Sequence, residues 1–187
     1  LSIFSDGKNL QTGNRLSIQV KKEKSKGLIW QMPGGFVPAE FEYSSGIISS
    51  GEHFKFDDGI VEAKIKFNPV KHVASSFYLS PENNIPRVNL VEMGAKNMLG
   101  FYTTNGDGKI SLEGLEIDNL KKDDYIFTLE KSGANFTWKI NEQEVLQLSN
   151  NELNKSLVLN ASSLVVEQLT GGSANFEVEW VKCYRKK

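Results

Sequence analysis

Three polar side chains in an otherwise apolar stretch hold most of the chemistry this sequence offers. The segment Pro86-Arg87-Val88-Asn89-Leu90-Val91-Glu92-Met93 sets Arg87, Asn89 and Glu92 among Val, Leu and Met, where a polar group is costly unless it is paired. A carboxylate can take or give a proton, whereas a guanidinium stays protonated and supplies only donors. An arginine beside Glu92 would hold that carboxylate ionised by Coulomb attraction and hydrogen bonding. Such a set suits a fixed array of donors and acceptors for hydroxyl-rich ligands, and the arginine could grip a carboxylate or sulfate with two bonds. An internal ion pair with no ligand is the plainer reading of the same residues.

Whether the three can act together depends on the element that carries them. Val88, Leu90 and Val91 favour a strand. Its two-residue period puts Arg87 and Asn89 on one face and Glu92 on the other, unless a β-bulge shifts the parity and brings all three to one surface. Alternation of apolar and polar residues recurs along the chain, in Leu16-Ser17-Ile18-Gln19-Val20, Val61 to Phe67 and Phe176 to Val181. That pattern, punctuated by Gly, Asn and Asp, predicts half-buried antiparallel strands. The nearest approach to a helical stripe, 113 to 124, is short and acidic. An all-β fold follows: a two-sheet antiparallel jelly-roll sandwich, since the strands show no repeat period.

The chain has 187 residues, enough for one domain spanning 1–187 and too few to argue for two. With 22 Lys+Arg against 23 Asp+Glu the net charge is −1, which gives no global field to hold nucleic acid or an anionic membrane. No apolar run reaches membrane-span length, so the expected partners exclude nucleic acid and membrane insertion. Cys183 stands alone. His53 and His72 lie too far apart, with no cysteine nearby, to suggest zinc. The run Thr103 to Gly114 imitates a calcium loop but has Thr103 and Gly114 where an acidic first ligand and a bidentate Glu belong. A tight turn through Asn105-Gly106-Asp107-Gly108 explains it better.

The order of polar residues in the 87–92 strand resembles the Glu-x-Asp-x-x-Glu motif of glycoside hydrolase family 16, whose members include laminarinases, lichenases, agarases and carrageenases. Similar runs lie upstream, in Ser45-Gly46-Ile47-Ile48-Ser49-Ser50, Asp58 to Phe67 and Ser76 to Glu82, and downstream, in Tyr125 to Glu130, Phe136 to Asn141 and Val178 to Tyr184. The resemblance implies a concanavalin A-like lectin and glucanase sandwich with a sugar groove on a concave sheet. It sets Arg87 at the nucleophile, Asn89 at the helper aspartate and Glu92 at the acid/base.

A retaining glycosidase needs two carboxyl groups about 5–5.5 Å apart, and Arg87 cannot attack carbon, so the double-displacement route is closed. The reading is therefore a secreted or cell-surface protein that binds a polysaccharide or oligosaccharide without cutting it. Trp30, Tyr78, Arg87, Asn89, Glu92 and Tyr102 are its expected carbohydrate contacts, with Trp30, from an aromatic-rich stretch, as the best candidate for a groove wall. Two alternatives remain: an active glycoside hydrolase with a rearranged site, for which Asp57, Asp58 and Glu82 are the nearest further acids, and a structural or adhesion domain of a larger surface protein. The resemblance also allows a structural calcium near Glu179, which occupies the position of the family's aspartate on the closing strand.

Overall fold

The computed structural model describes residues 2–5, 7–83, 85–94, 99–110, 115–117 and 120–185. Among these the backbone forms two β-sheets and two single 3-10 turns, Gly51–His53 and Asn151–Leu153. The larger sheet runs, edge to edge, through Ser2–Phe4, Gly35–Ser45, Leu16–Gln31, Ser173–Arg185, Gly59–Lys66, Asp124–Ser132, Asn135–Ile140 and Gln143–Ser149, with Leu10–Gln11 beside Leu16–Gln31. The smaller runs through Leu115–Ile117, Leu99–Phe101, Val88–Met93, Val73–Ser80, Val158–Val165 and Ile47–Ser49. All pairings are antiparallel except that of Ser2–Phe4 with Gly35–Ser45. The fold is the all-β, two-sheet antiparallel sandwich that the alternation implies.

The core lies between the sheets. Val61, Ala63 and Ile65 point inward at every second position of their strand and meet Phe77, Leu79, Val88, Leu90 and Val91 from the smaller sheet. Trp138, Phe127 and Phe136 fill the middle. At roughly 25 cal/mol per Å² of apolar surface removed from water, such rings are the main favourable contribution to folding. A second cluster, Val20, Tyr43, Val73, Val165, Leu169 and Ala174, closes one end.

The closing strand breaks the simple alternation. Its pairing with Gly59–Lys66 slips between Val178 and Trp180, so Glu179 is an extra residue. Beyond it Val181 and Cys183 lie opposite Ala63 and Val61, while Trp180, Lys182 and Tyr184 lie opposite Lys64, Glu62 and Ile60. The strands Leu16–Gln31 and Gly35–Ser45 continue past their neighbours as a two-stranded ribbon. Ser173–Arg185 pairs only with 16–21 of the first, and Ser2–Phe4 only with 43–45 of the second.

Candidate functional site

The strand Val88–Met93 sits near the centre of the smaller sheet, and its register with Val73–Ser80 shifts by one residue: Tyr78 faces Asn89, but Phe77 faces Val91. Leu90 is the bulged residue, and both it and Val91 are buried in the core. The parity therefore changes between Asn89 and Glu92. Residues directly opposite in an antiparallel pair share a face, so Asn89 lies beside Tyr78, and Glu92 beside Ser76. That face is turned away from the core, as Phe77, Leu79, Val88 and Val91 occupy the other. The carbonyl that the bulge frees from the ladder is not wasted. Trp138 reaches across the core from the larger sheet and donates its indole N–H to Asn89 O at 2.6 Å.

On the outer face a compact hydrogen-bonded cluster forms around one carboxylate oxygen. Glu92 Oε2 accepts from Ser76 Oγ at 2.7 Å, from Tyr102 OH at 2.8 Å and from Arg87 Nη2 at 3.3 Å. Arg87 Nη2 also donates to Tyr102 OH at 2.7 Å. The guanidinium lies over the rings of Tyr78 and Tyr102, 5.1 and 5.8 Å from their centroids, within the range of cation–π attraction. The Arg87 backbone is fixed as well, its N–H donating to Thr104 Oγ1 and its carbonyl accepting from Thr104 N–H. Burial, then the charge of Glu92, pushes the Tyr102 hydroxyl up to about 12. Burial also raises Tyr78, against the nearby charge of Arg87.

Asn89 is the odd member. Its side chain is fully buried, and among the described residues neither its amide nitrogen nor its amide oxygen has a hydrogen-bond partner. A single cross-strand row also runs over this face: Glu116, Gly100, Glu92, Ser76, Ser162 and Ile47 occupy matching positions on the six strands. The next row contains Asn89, Tyr78, Asn160 and Ser49. At the far end of these rows an open depression of about 500 Å³ is lined by residues including Ile47, Ser49, Glu52, Glu82 and Asn160.

The fold thus gathers Tyr78, Arg87, Asn89, Glu92 and Tyr102, but the two rings are not exposed stacking platforms. Tyr78 and Tyr102 are 5% and 7% exposed, because Arg87 packs over them. Trp30 lies elsewhere: it is on the protruding ribbon, 63% exposed and edge-on to Phe36 with centroids 5.4 Å apart. Asp57, Asp58 and Glu82 are each engaged elsewhere, with Ser156, with Lys131 and Gly133, and with Lys55. The residues missed in the sequence are Ser76, Glu116 and Asn160. Only the strand register, which no motif encodes, puts them on this face.

Glu179 takes part in an ion cluster on the larger sheet. Its Oε1 is 3.0 Å from Lys64 Nζ and its Oε2 is 2.9 Å from Arg15 Nη2. Arg15 also binds Asp124 at 2.8 Å and lies 3.7 Å from Glu177. Calcium requires a surplus of oxygen ligands, and here both Glu179 oxygens already meet cations. The donor set does not fit the ion. The Thr103 to Gly114 run forms the expected turn within its described part, with Gly108 N–H bonded to Asn105 O and Asn105 N–H to Lys109 O; residues 111–114 lie outside the described residues.

Neither a protein-family model nor a curated protein sequence matches the chain. Solved structures do. The laminarinase catalytic domain of Thermotoga maritima superposes with a TM-score of 0.78 at 16% identity, covering 100% of this chain and 84% of that one. The kappa-carrageenase of Pseudoalteromonas carrageenovora, solved with an oligotetrasaccharide, gives 0.72 at 14% identity over 95% and 83%. A family 16 enzyme of the Bacteroides ovatus mixed-linkage glucan system, solved with a product, gives 0.73 at 14% identity over 97% and 87%. The fold is that of the glycoside hydrolase family 16 sandwich.

Proposed function

We propose that this protein binds a polysaccharide or oligosaccharide on the outer face of the six-stranded sheet without hydrolysing it, as a secreted or cell-surface protein. The observation that carries this reading is the Arg87–Tyr102–Glu92 cluster, in which an arginine contacts the only motif carboxylate. Arg87 closes the retaining route. Tyr102 cannot replace the missing nucleophile, since a hydroxyl raised to about 12 stays protonated at neutral pH. What remains is recognition. Among the described residues the contacts of Arg87 and Glu92 run through Nη2 and Oε2, which leaves the other guanidinium nitrogens and Oε1 to bond sugar hydroxyls. At the far end of the same rows, three strands from Glu92, the depression of about 500 Å³ lies within the size range of ligand sites. Calorimetric titration with soluble β-glucans, galactans and uronic or sulfated oligosaccharides tests the reading. Binding that Arg87→Met and Glu92→Gln weaken supports it, and no heat with any ligand at millimolar concentration refutes it.

One observation favours an enzymatic alternative. Glu116 and Glu92 flank Gly100 in the same row, their backbones two strand spacings or about 9.6 Å apart, a gap that two glutamate side chains can shorten between the carboxyl groups. Inverting glycosidases hold their carboxyl groups about 6.5–9.5 Å apart. In that scheme Glu92, hydrogen-bonded by Arg87, would take a proton from the attacking water, and Glu116 would protonate the leaving oxygen. Release of reducing ends, lost in Glu116→Gln and Glu92→Gln alike, would establish it. A scaffolding role is favoured instead by the burial of Tyr78 and Tyr102, and an unresponsive titration together with no hydrolysis would leave that reading standing.

A further inference from the structure

The ribbon formed by Leu16–Gln31 and Gly35–Ser45 ends in a tip that nothing in the sandwich covers. From Gly27 to Ala39 the chain carries no charged residue. The pairs Leu28 with Pro38 and Trp30 with Phe36 share one face, and Ile29 with Val37 the other. Leu28, Trp30, Met32 and Phe36 are 62%, 63%, 80% and 69% exposed. At the shaft the chemistry reverses. Lys8, Lys24 and Lys26, with Glu23, line an open depression of about 620 Å³. None of the three lysines is in an ion pair among the described residues, while Glu23 accepts from the Ser44 hydroxyl.

We infer that this ribbon docks the protein on an anionic lipid surface, with the apolar tip in the interfacial zone and Lys8, Lys24 and Lys26 at the phosphates. A flat protein partner would cover one face of the ribbon, but here both faces and the turn are apolar, which suits a medium that surrounds the tip. The dimensions agree. Trp30 and Phe36 lie four residues beyond the pair Lys26 and Glu40, about 13 Å along the strand. The headgroup layer is roughly 5–7 Å thick on each side of the bilayer. With Lys26 at its outer edge, the rings reach the shallow depth of about 5–10 Å at which interfacial segments rest, and Lys24, two residues or about 7 Å farther back, stays within a Debye length of the surface. Deeper entry is barred, because the free ribbon edges carry unpaired backbone groups that still need water. On the shaft Lys21, Lys22, Lys24 and Lys26, with Lys8 beside them, outnumber Glu23, Glu40 and Glu42, a local cationic excess that the net charge of −1 conceals.

Co-sedimentation with phosphatidylglycerol-containing phosphatidylcholine vesicles tests the inference, alongside tryptophan fluorescence. Trp138 is fully buried and the part-exposed Trp180 lies on the body of the larger sheet, so the part of a blue shift on binding that disappears in Trp30→Ala reports the tip. Each lysine near an anionic surface is worth about fivefold in affinity, so the triple variant Lys8→Glu, Lys24→Glu, Lys26→Glu should bind about 100-fold more weakly or worse. All these positions are exposed, and unchanged melting curves would show the variants folded. Three results would each overturn the inference: no sedimentation with anionic vesicles, wild-type binding by the triple variant, or Trp30 shifting only on self-association or on adding glucan oligosaccharides.

Discussion

Two arginine–glutamate clusters sit on opposite sheets at nearly equal side-chain exposure, and they are built for different ends. Arg87 and Glu92 are 28% and 22% exposed, Arg15 and Glu179 31% and 28%. Around Arg15 the charges close on one another: Arg15, Lys64 and Lys66 face Asp124, Glu177 and Glu179, and no hydroxyl takes part in those bonds. Around Arg87 a single pair is held by neutral groups, Ser76 and Tyr102, and a buried amide beside it has no partner among the described residues. A saturated cluster can only hold its sheet in place. One with spare donors and acceptors can hold something else.

The largest expected effect comes from separating the bulge from the opposite sheet. Trp138→Ala removes a fully buried ring and the bond to Asn89 O, and should cost about 3–5 kcal/mol by chemical denaturation. The Arg87 cluster should loosen while the Arg15 cluster keeps its NMR shifts. A smaller effect comes from breaking the inner pair. Glu92→Leu leaves Arg87 without its counter-ion and should destabilise by about 1–2 kcal/mol, less than for a wholly buried pair, with Arg87→Met in the same chain recovering most of the loss. If the double variant is no more stable than the single, the two side chains are not coupled.

Tyr102 gives the same comparison a pH axis. Its folded pKa of about 12 lies above the unfolded value near 10. The stability it contributes is therefore complete below pH 10 and is lost as pH rises through 12. Glu92→Gln removes a charge that raises Tyr102, so ultraviolet titration should show this hydroxyl ionising at lower pH. Asn89→Leu should stabilise by about 1 kcal/mol, because it relieves an unsatisfied buried amide. If the amide serves a ligand, the same change weakens glycan binding, and stability and affinity move in opposite directions. The smallest effect is expected at Arg15: Arg15→Gln should shift the melting temperature by no more than about 3 °C, and less still in high salt. Calcium and chelators should leave the melting temperature unchanged, and a clear rise with calcium would show that the ion displaces these cations.

The fold was legible because two-residue alternation survives in the strands that face one core, such as Val61-Glu62-Ala63-Lys64-Ile65. The bulge at Leu90 could be posed as a condition but not deduced, since a one-residue slip leaves no mark in the identity of Leu90 or Val91. The slip at Glu179 was invisible for the same reason, and strict alternation wrongly sets Trp180 on the core side. The place of Trp30 was hidden for another cause: an aromatic-rich segment looks alike whether it walls a groove or tips a ribbon. Glu116 was hidden because its neighbour across Gly100 is 24 positions away, and only pairing shows that they share a row.

The bond from the Trp138 indole to Asn89 O has a mechanical consequence. Sheets packed face to face are held by interdigitated apolar side chains that already resist sliding. A directed bond across the core adds a fixed point of registration to that packing. Shear of the smaller sheet against the larger at this strand must stretch it past hydrogen-bond range, so the kink that aims Glu92 outward also acts as a dowel between the layers. Under force, slippage should begin at the far ends of the sheets rather than at this strand.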